Sequence, residues 1–352
     1  VDVGERLDWG QDRIFDKHCV GGLPGNRTTP LIVAAVSAFG LTMPKTSSRA
    51  ITSPAGTADT MATMTNVELA LPDIRSVVGK EGGCIAWGGS VQLSPTDDIF
   101  IRIERALDLD ASGQMVASIL SKKIAAGATD VVVDIPLGPT AKVRSTQEAY
   151  TLAGTMVAVG ERLGLHIEPI ITDGSQPIGR GIGPALEAHD LLKVLRNEPD
   201  QPLVLRDRAV TLIGKILEMS SEVERGDGED VALRLIEDGS ALAKFVAICE
   251  AQGGFWEPGV AEFQAPVVAE TAGRVKSIDN RRIANAAKLA GAPIAPLAGI
   301  WFDAPVGRPV EIGDHLFTVH AESPGELHYA LEYLSHHPGI IEIEEEIRQS
   351  GL

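Results

Sequence analysis

One lysine, a glycine-rich turn and paired hydroxyls run together in Asp16-Lys17-His18-Cys19-Val20-Gly21-Gly22-Leu23-Pro24-Gly25-Asn26-Arg27-Thr28-Thr29, directly before an apolar stretch. The set suits a phosphate: small residues leave backbone N–H groups open, a helix start adds donors, and the ammonium supplies charge. It is not a P-loop, because no Gly-Lys-[Ser/Thr] closes it and the lysine precedes the glycines. Nucleotide hydrolysis is thereby disfavoured. A second array, from Thr46 to Thr60, is a dense row of hydroxyls around Arg49. Such a row can ring a phosphate or a sugar, although serine and threonine also populate ordinary turns. Ser118 and Lys122 stand four apart on a helical stretch, so both can address one ligand; the plainer alternative is a surface lysine beside a neutral serine.

Composition bounds the class. The 352 residues are 44% hydrophobic and 22% charged, enough for a substantial core and more than one domain. Acidic residues number 48 against 31 lysines and arginines, a formal net charge of -17. An anionic ligand must then be held by a local basic cluster against an unfavourable overall field, and nucleic acid is not an expected partner. Cys19, Cys84 and Cys249 are too few and too scattered for a disulfide framework or a cysteine zinc site. His336 and His337 are adjacent and do not share a helix face, so no metal is expected. Nothing reads as a signal peptide or membrane span, which makes a reducing cytoplasm the expected compartment. No Gly-x-Gly-x-x-Gly with a downstream ribose-binding acid is present, which argues against a nicotinamide-dependent oxidoreductase. The chain opens on Val1 rather than methionine, and an upstream part is expected.

These groups need elements to position them. The run 29–39, rich in alanine, valine and isoleucine, predicts a buried helix beginning at the glycine loop, followed by Gly40 and a short strand leading to Lys45. The run 84–87 predicts a strand ending in the turn Gly88-Gly89, 95–105 a charged connection, and 112–126 a helix preceded by Asp110. Residues 131–136 form an apolar strand of the kind found in parallel sheets, and 138–142 turn at its carboxyl end, where active sites of open α/β folds gather. A helix over 146–163, a strand over 166–171 and a helix over 186–195, with Glu187 and Asp190 facing solvent, repeat the alternation of a mostly parallel sheet with covering helices. From Phe263 the texture changes. There, 267–278 and 313–320 predict strands of a smaller α+β unit, the second an edge strand entered through Gly313-Asp314, with helices over 283–289 and 324–334.

Three motifs in this order resemble the thymidine phosphorylase and AMP phosphorylase family, glycosyltransferases that exchange a nucleoside base for orthophosphate. Asp16-Lys17-His18-Cys19-Val20-Gly21-Gly22 resembles the family's Asp-Lys-His-Ser-x-Gly-Gly signature, with Cys19 where serine is usual. The stretch from Lys45 to Met61 is similar to the second signature as carried by the archaeal-type branch, and Gly113 to Lys123 resembles the third. The resemblance implies an α/β fold with a large mostly parallel sheet domain and covering helices, part of a small helical domain, and a C-terminal α+β unit. It divides the chain into 1–94 and 127–261 for the α/β domain, 95–126 for the returning segment of the helical domain, and 262–352 for the C-terminal unit. A homodimer is implied, with no cofactor and with orthophosphate as co-substrate. Lys17, Gly21, Gly22, Ser47, Thr57 and Thr29 are assigned to phosphate, with Thr28 as the neighbouring choice. Ser118 and Lys122 are assigned to base and sugar. In the archaeal-type branch the nucleotide contacts correspond to Gly22, Ser48, Arg49, Ala50, Ile51, Thr52, Ser53, Thr57, Ser118 and Lys142, and the proton donor to Asp110.

The implied chemistry places Lys17 and Asp110 in catalytic roles. Lys17, oriented amides and hydroxyls hold an ionised phosphate whose oxygen attacks C1 of the sugar. Asp110 protonates or hydrogen-bonds the departing base, for which burial or a carboxylate neighbour must raise it above its ordinary value of about 3.9. Asp110 serves equally as a cap for the helix beginning near Ser112, and the two roles are compatible. Arg49 and Lys142 are candidates for a second anion site holding a 5′-phosphate, which AMP needs and thymidine does not. Thymidine phosphorolysis is the expected activity. AMP phosphorolysis, giving adenine and ribose 1,5-bisphosphate, is the alternative, and a non-catalytic nucleotide-binding module is a third.

Overall fold

A computed structural model describes residues 7–50, 53–90 and 112–345. The first unit is built on parallel strands. β1 (Phe15–Cys19) pairs with β4 (Asp130–Leu137), which pairs with β5 (His166–Asp173); β2 (Met43–Ser47) pairs with β3 (Gly83–Trp87). Val131, Val132 and Val133 are fully buried, as befits a strand covered on both faces. β2 runs beside β1, but the two exchange no ladder. The seam is closed instead by the Phe15 N–H donating to the Thr42 carbonyl and by the Lys45 ammonium donating to the Lys17 carbonyl. The chain thus winds outward from β1 through β2 to β3 and returns on the other side through β4 and β5. The carboxyl ends of β1 and β4 lie where the winding reverses, the place at which ligands of such folds bind.

Helix α1 (Thr28–Phe39) follows β1, and its residues Leu31 to Val36 have no exposed surface. A helix this apolar on every side is a core helix, and it packs against α7 (Leu203–Ser220) and α9 (Ser240–Ala251), with α8 (Gly228–Glu237) completing the cluster. The other sheet face carries α4 (Ser112–Ala125) and α5 (Thr146–Arg162), which bury Val131, Val133 and Ile135. Helix α5 starts with a reciprocal cap, the Ser145 hydroxyl accepting from the Glu148 amide and the Glu148 carboxylate accepting from the Ser145 amide. The remaining helices are α2 (Thr57–Ala62), α3 (Leu71–Glu81) and α6 (Pro184–Leu195). The three helices between Leu203 and Ala251 were not anticipated from periodicity.

The last unit has two antiparallel sheets, ordered β6 (Gly181–Ile182), β9 (Gly299–Phe302), β11 (His315–Ala321), β7 (Phe263–Val268) and β10 (Pro309–Val310), β8 (Gly273–Ile278), β12 (Ile341–Glu344), covered by α10 (Asn280–Leu289) and α11 (Pro324–Ser335). Two expectations are corrected here. The single strand over 267–278 is two strands, because the chain turns at 269–272 and each half joins a different sheet. The strand entered through Gly313-Asp314 is not an edge: β11 is paired on both sides, and its Phe317 and Val319 are buried. A third correction concerns α6. Glu187 and Asp190 are buried, each 1% exposed, because donors draw them inward: Arg27 and Thr60 toward Glu187, and the Arg180 and Gly181 amides toward Asp190.

Candidate anion site at the carboxyl ends of the strands

Strand alternation divides the first motif between two faces of the sheet. Lys17 and Cys19 point toward α1. Lys17 is fully buried, its Nζ donating to Thr28 Oγ1 at 2.8 Å and lying 3.9 Å from Asp134 Oδ2. Thr28 Oγ1 donates to Asn26 Oδ1 at 3.2 Å, and Asn26 Nδ2 donates to Asp134 Oδ2 at 3.2 Å and to Cys19 Sγ at 3.3 Å. Thr172 Oγ1 donates to the other Asp134 oxygen at 2.6 Å. Burial pushes the Lys17 ammonium below its ordinary pKa; Asp134 opposes this, whereas Lys45 and Arg208 add to it. Burial also pushes the Cys19 thiol up to about 12, so it stays neutral.

Asp16 and His18 point toward α4. Burial alone would raise the Asp16 pKa, but Lys123 and Lys45 overcome it, each ammonium donating to a carboxylate oxygen at 2.7 Å, and the carboxyl is held below its usual range. Burial lowers Lys123 to about 7 against the pull of Asp16. His18, which the sequence reading passed over, is driven well below its ordinary value first by burial and then by Lys123, Lys45, Lys122 and Lys17. Its imidazole is therefore neutral at physiological pH. The signal that could have found it was its place two residues from Asp16, on the same strand face.

The loops close around these strands. Gly21 and Gly22 have φ of 95° and 90°, in the left-handed region, and a Cβ on Gly22 would lie 2.5 Å from the Lys142 backbone nitrogen. Lys142 itself is exposed at that junction. In the second loop, Asp59 accepts from the Ala50 and Gly56 amides at 2.6 and 2.9 Å, holding these two residues together. Gly56 has no room for a side chain, since a Cβ would lie 2.6 Å from both the Ser48 carbonyl and the Ala50 nitrogen. Arg49 donates to Asp59 at 3.3 Å and to Glu68 at 2.9 Å, with its guanidinium over the Trp87 ring. Ser47 ends β2 half-buried, Ser48 is exposed, and Ser53 Oγ donates to the Ala55 carbonyl. Thr57 opens α2 and Thr29 the first turn of α1, both nearly buried. Arg27 pairs with Glu187 and donates to the Ala55 carbonyl at 2.6 Å, tying this loop to α6; Glu187 is raised by burial.

Ser118 and Lys122 lie half-buried on α4, beside the buried Lys123. Asp110, Ile51 and Thr52 lie outside the described residues. Arg208, which sequence reasoning also missed, donates from Nη2 to the Asp173 carbonyl at the end of β5, and its Nη1 is buried without a hydrogen-bond partner among the described residues. Among those residues no group of histidines, cysteines and carboxylates could hold a metal ion, and no helix is long and apolar enough to cross a membrane.

Comparison with known proteins bears on this arrangement. Residues 11–242 match the family model "Glycosyl transferase family, a/b domain", and residues 274–340 match "Pyrimidine nucleoside phosphorylase C-terminal domain". A protein of Hahella chejuensis (strain KCTC 2396) named "Putative thymidine phosphorylase" is 58% identical over 346 residues, covering 98% of this chain and 68% of its own length. A protein of Acidovorax sp. (strain JS42), similarly named, is 57% identical with the same coverage of both chains. The present chain thus spans about two thirds of these relatives. Among solved structures, anthranilate phosphoribosyltransferase (TrpD) from Thermus thermophilus superposes with a TM-score of 0.58 at 16% identity, over 71% of this chain and 81% of that one, a likeness of fold.

Proposed function

This chain belongs to the glycosyl transferase family with a pyrimidine nucleoside phosphorylase C-terminal domain, and we propose that it catalyses the phosphorolysis of thymidine to thymine and 2-deoxyribose 1-phosphate. One observation carries the proposal: around β1, the buried cations Lys17, Lys45, Lys123 and Arg208 face the buried carboxylates Asp16, Asp134 and Asp130, and Asp130 is already paired with the half-exposed Arg13, in a chain of net charge -17. A local surplus of enclosed positive charge calls for an anionic partner.

In this reading Lys17, the Gly21 and Gly22 amides, Thr29, Ser47 and Thr57 hold orthophosphate, and Ser118 and Lys122 hold base and sugar. A phosphate oxygen forms the bond to C1′ as the C1′–N1 bond breaks. The electron pair leaves with the base, and Asp110 supplies the proton that completes thymine. Preorganised cations hold the phosphate against the sugar as its positive charge develops. The 5′-phosphate that AMP would bring has less to meet, since Arg49 is already paired with Asp59 and Glu68. We read the enzyme as a cytoplasmic homodimer, its three free cysteines suiting a reducing compartment.

The test is phosphate-dependent release of free base from thymidine and from AMP, side by side. Thymine release, with little adenine, is the expected result. Adenine release alone would favour the nucleotide reading, and phosphate binding with no base released from either would favour a non-catalytic module.

A further inference from the structure

We propose that Asp134 is a positioning residue: through Asn26 and Thr28 it fixes the direction in which Lys17 presents its ammonium to phosphate. The inference rests on the phosphate reading above and deepens it. A carboxylate only accepts, so Thr172 Oγ1 at 2.6 Å and Asn26 Nδ2 at 3.2 Å must both donate to Asp134. The Asn26 amide cannot flip without setting its oxygen against that carboxylate. Its Oδ1 therefore faces Thr28 and takes the single hydroxyl proton at 3.2 Å, which leaves the Thr28 lone pairs for Lys17 Nζ at 2.8 Å. Asp134, Thr28 and Lys17 are all at most 1% exposed, so bulk water does not compete within the chain.

Two consequences follow. Thr28 holds the lysine and has no proton left for an oxyanion, so the hydroxyl donors to phosphate are Thr29, Ser47 and Thr57. Lys17 keeps two N–H bonds beyond the one to Thr28, because 3.9 Å to Asp134 exceeds hydrogen-bond reach. Their direction is set by the relay. The titratable and charged groups facing Lys17 are the neutral Cys19 thiol on its own strand, Lys45 on β2, Asp134 on β4 and Arg208 on α7. Removing the Asp134 charge leaves the two cations less opposed, so Lys17 loses its proton at lower pH.

The experiment titrates the whole chain with orthophosphate across roughly pH 6 to 10 and measures KM for phosphate and for thymidine separately. Asp134→Asn is expected to weaken phosphate binding about tenfold or more and to move the alkaline loss of affinity to lower pH, with thymidine KM within about twofold. A simple packing role would leave that pH limb in place. Unchanged phosphate affinity and an unchanged limb in Asp134→Asn overturn the positioning role while leaving the phosphate reading intact. A wild-type chain that binds no phosphate overturns both. Should Asp134→Asn fail to fold, Thr28→Val and Thr28→Ser carry the same test. The valine variant is expected to lose phosphate affinity and the serine variant to keep it, and wild-type affinity in the valine variant overturns the relay.

Discussion

The Lys45 ammonium donates to the backbone carbonyl of Lys17 at 2.8 Å, standing where a ladder hydrogen bond between β2 and β1 would otherwise be. One side chain thus closes the sheet seam and places positive charge behind the strand that carries the proposed anion site. Its second bond, to Asp16, adds an ion pair that also involves Lys123.

Lys45→Met is therefore expected to destabilise the fold by about 3 kcal/mol, because it leaves a buried carboxylate with one ammonium partner instead of two, beside the Lys17 amide. Urea unfolding monitored by circular dichroism measures the loss. A change below about 0.5 kcal/mol would show that Lys123 alone compensates Asp16.

Cys19→Ser replaces a neutral thiol by a stronger donor at the edge of the proposed anion site. The phosphate KM is expected to fall about threefold with the thymidine KM unchanged, a gain within the ordinary worth of one hydrogen bond. Steady-state kinetics with each substrate varied in turn reads the difference.

Asp190 is raised by burial to about 7 from 3.8, so the folded chain holds a proton there that the unfolded chain releases earlier. Its favourable contribution is complete below pH 3.8 and is lost progressively as pH rises toward 7. Asp190→Asn has no such loss. Its stability relative to wild type is expected to grow across that interval by a few kcal/mol, as measured by denaturant midpoints at successive pH values. A difference that is flat with pH would place the Asp190 pKa near its unfolded value.

Gly22→Ala meets both a φ of 90° and the Lys142 backbone at 2.5 Å. The expected result is a destabilisation of about 1–3 kcal/mol and loss of most phosphate-dependent activity, since the loop that offers the Gly21 and Gly22 amides must shift. Calorimetry and the thymine-release assay check the two separately.

Much of the framework around the candidate site was legible from local pattern. The apolar run after Thr28 and the valine triplet at 131–133 each announce a buried element, and the glycines between β1 and α1 announce a loop that only glycine can form. What could not be read was where a charged residue points. Glu187 and Asp190 look like the solvated face of a helix, yet they are buried because Arg27 and two amides more than a hundred residues and nine to ten residues away, respectively, need acceptors. His18 and Arg208 were missed for the same reason. Their significance comes from lysines and carbonyls on other elements, which no window of sequence brings together. The strand 315–321 looked like an edge because it is entered through the Gly313-Asp314 turn, and nothing local shows that β7 and β9 pair with it on both sides.

Gly181–Ile182, short as it is, forms the outer rung of the distal four-stranded sheet, and Asp190 grips its amide from the neighbouring helix. Residues 274–340 cut out on their own would lose both β6 and β7, leaving β9 and β11 each with a bare row of amides and carbonyls. Such a fragment would recruit another copy of itself before it behaved as a free module. The two units are in this sense spliced, and any motion of one against the other must carry that rung along or tear it away.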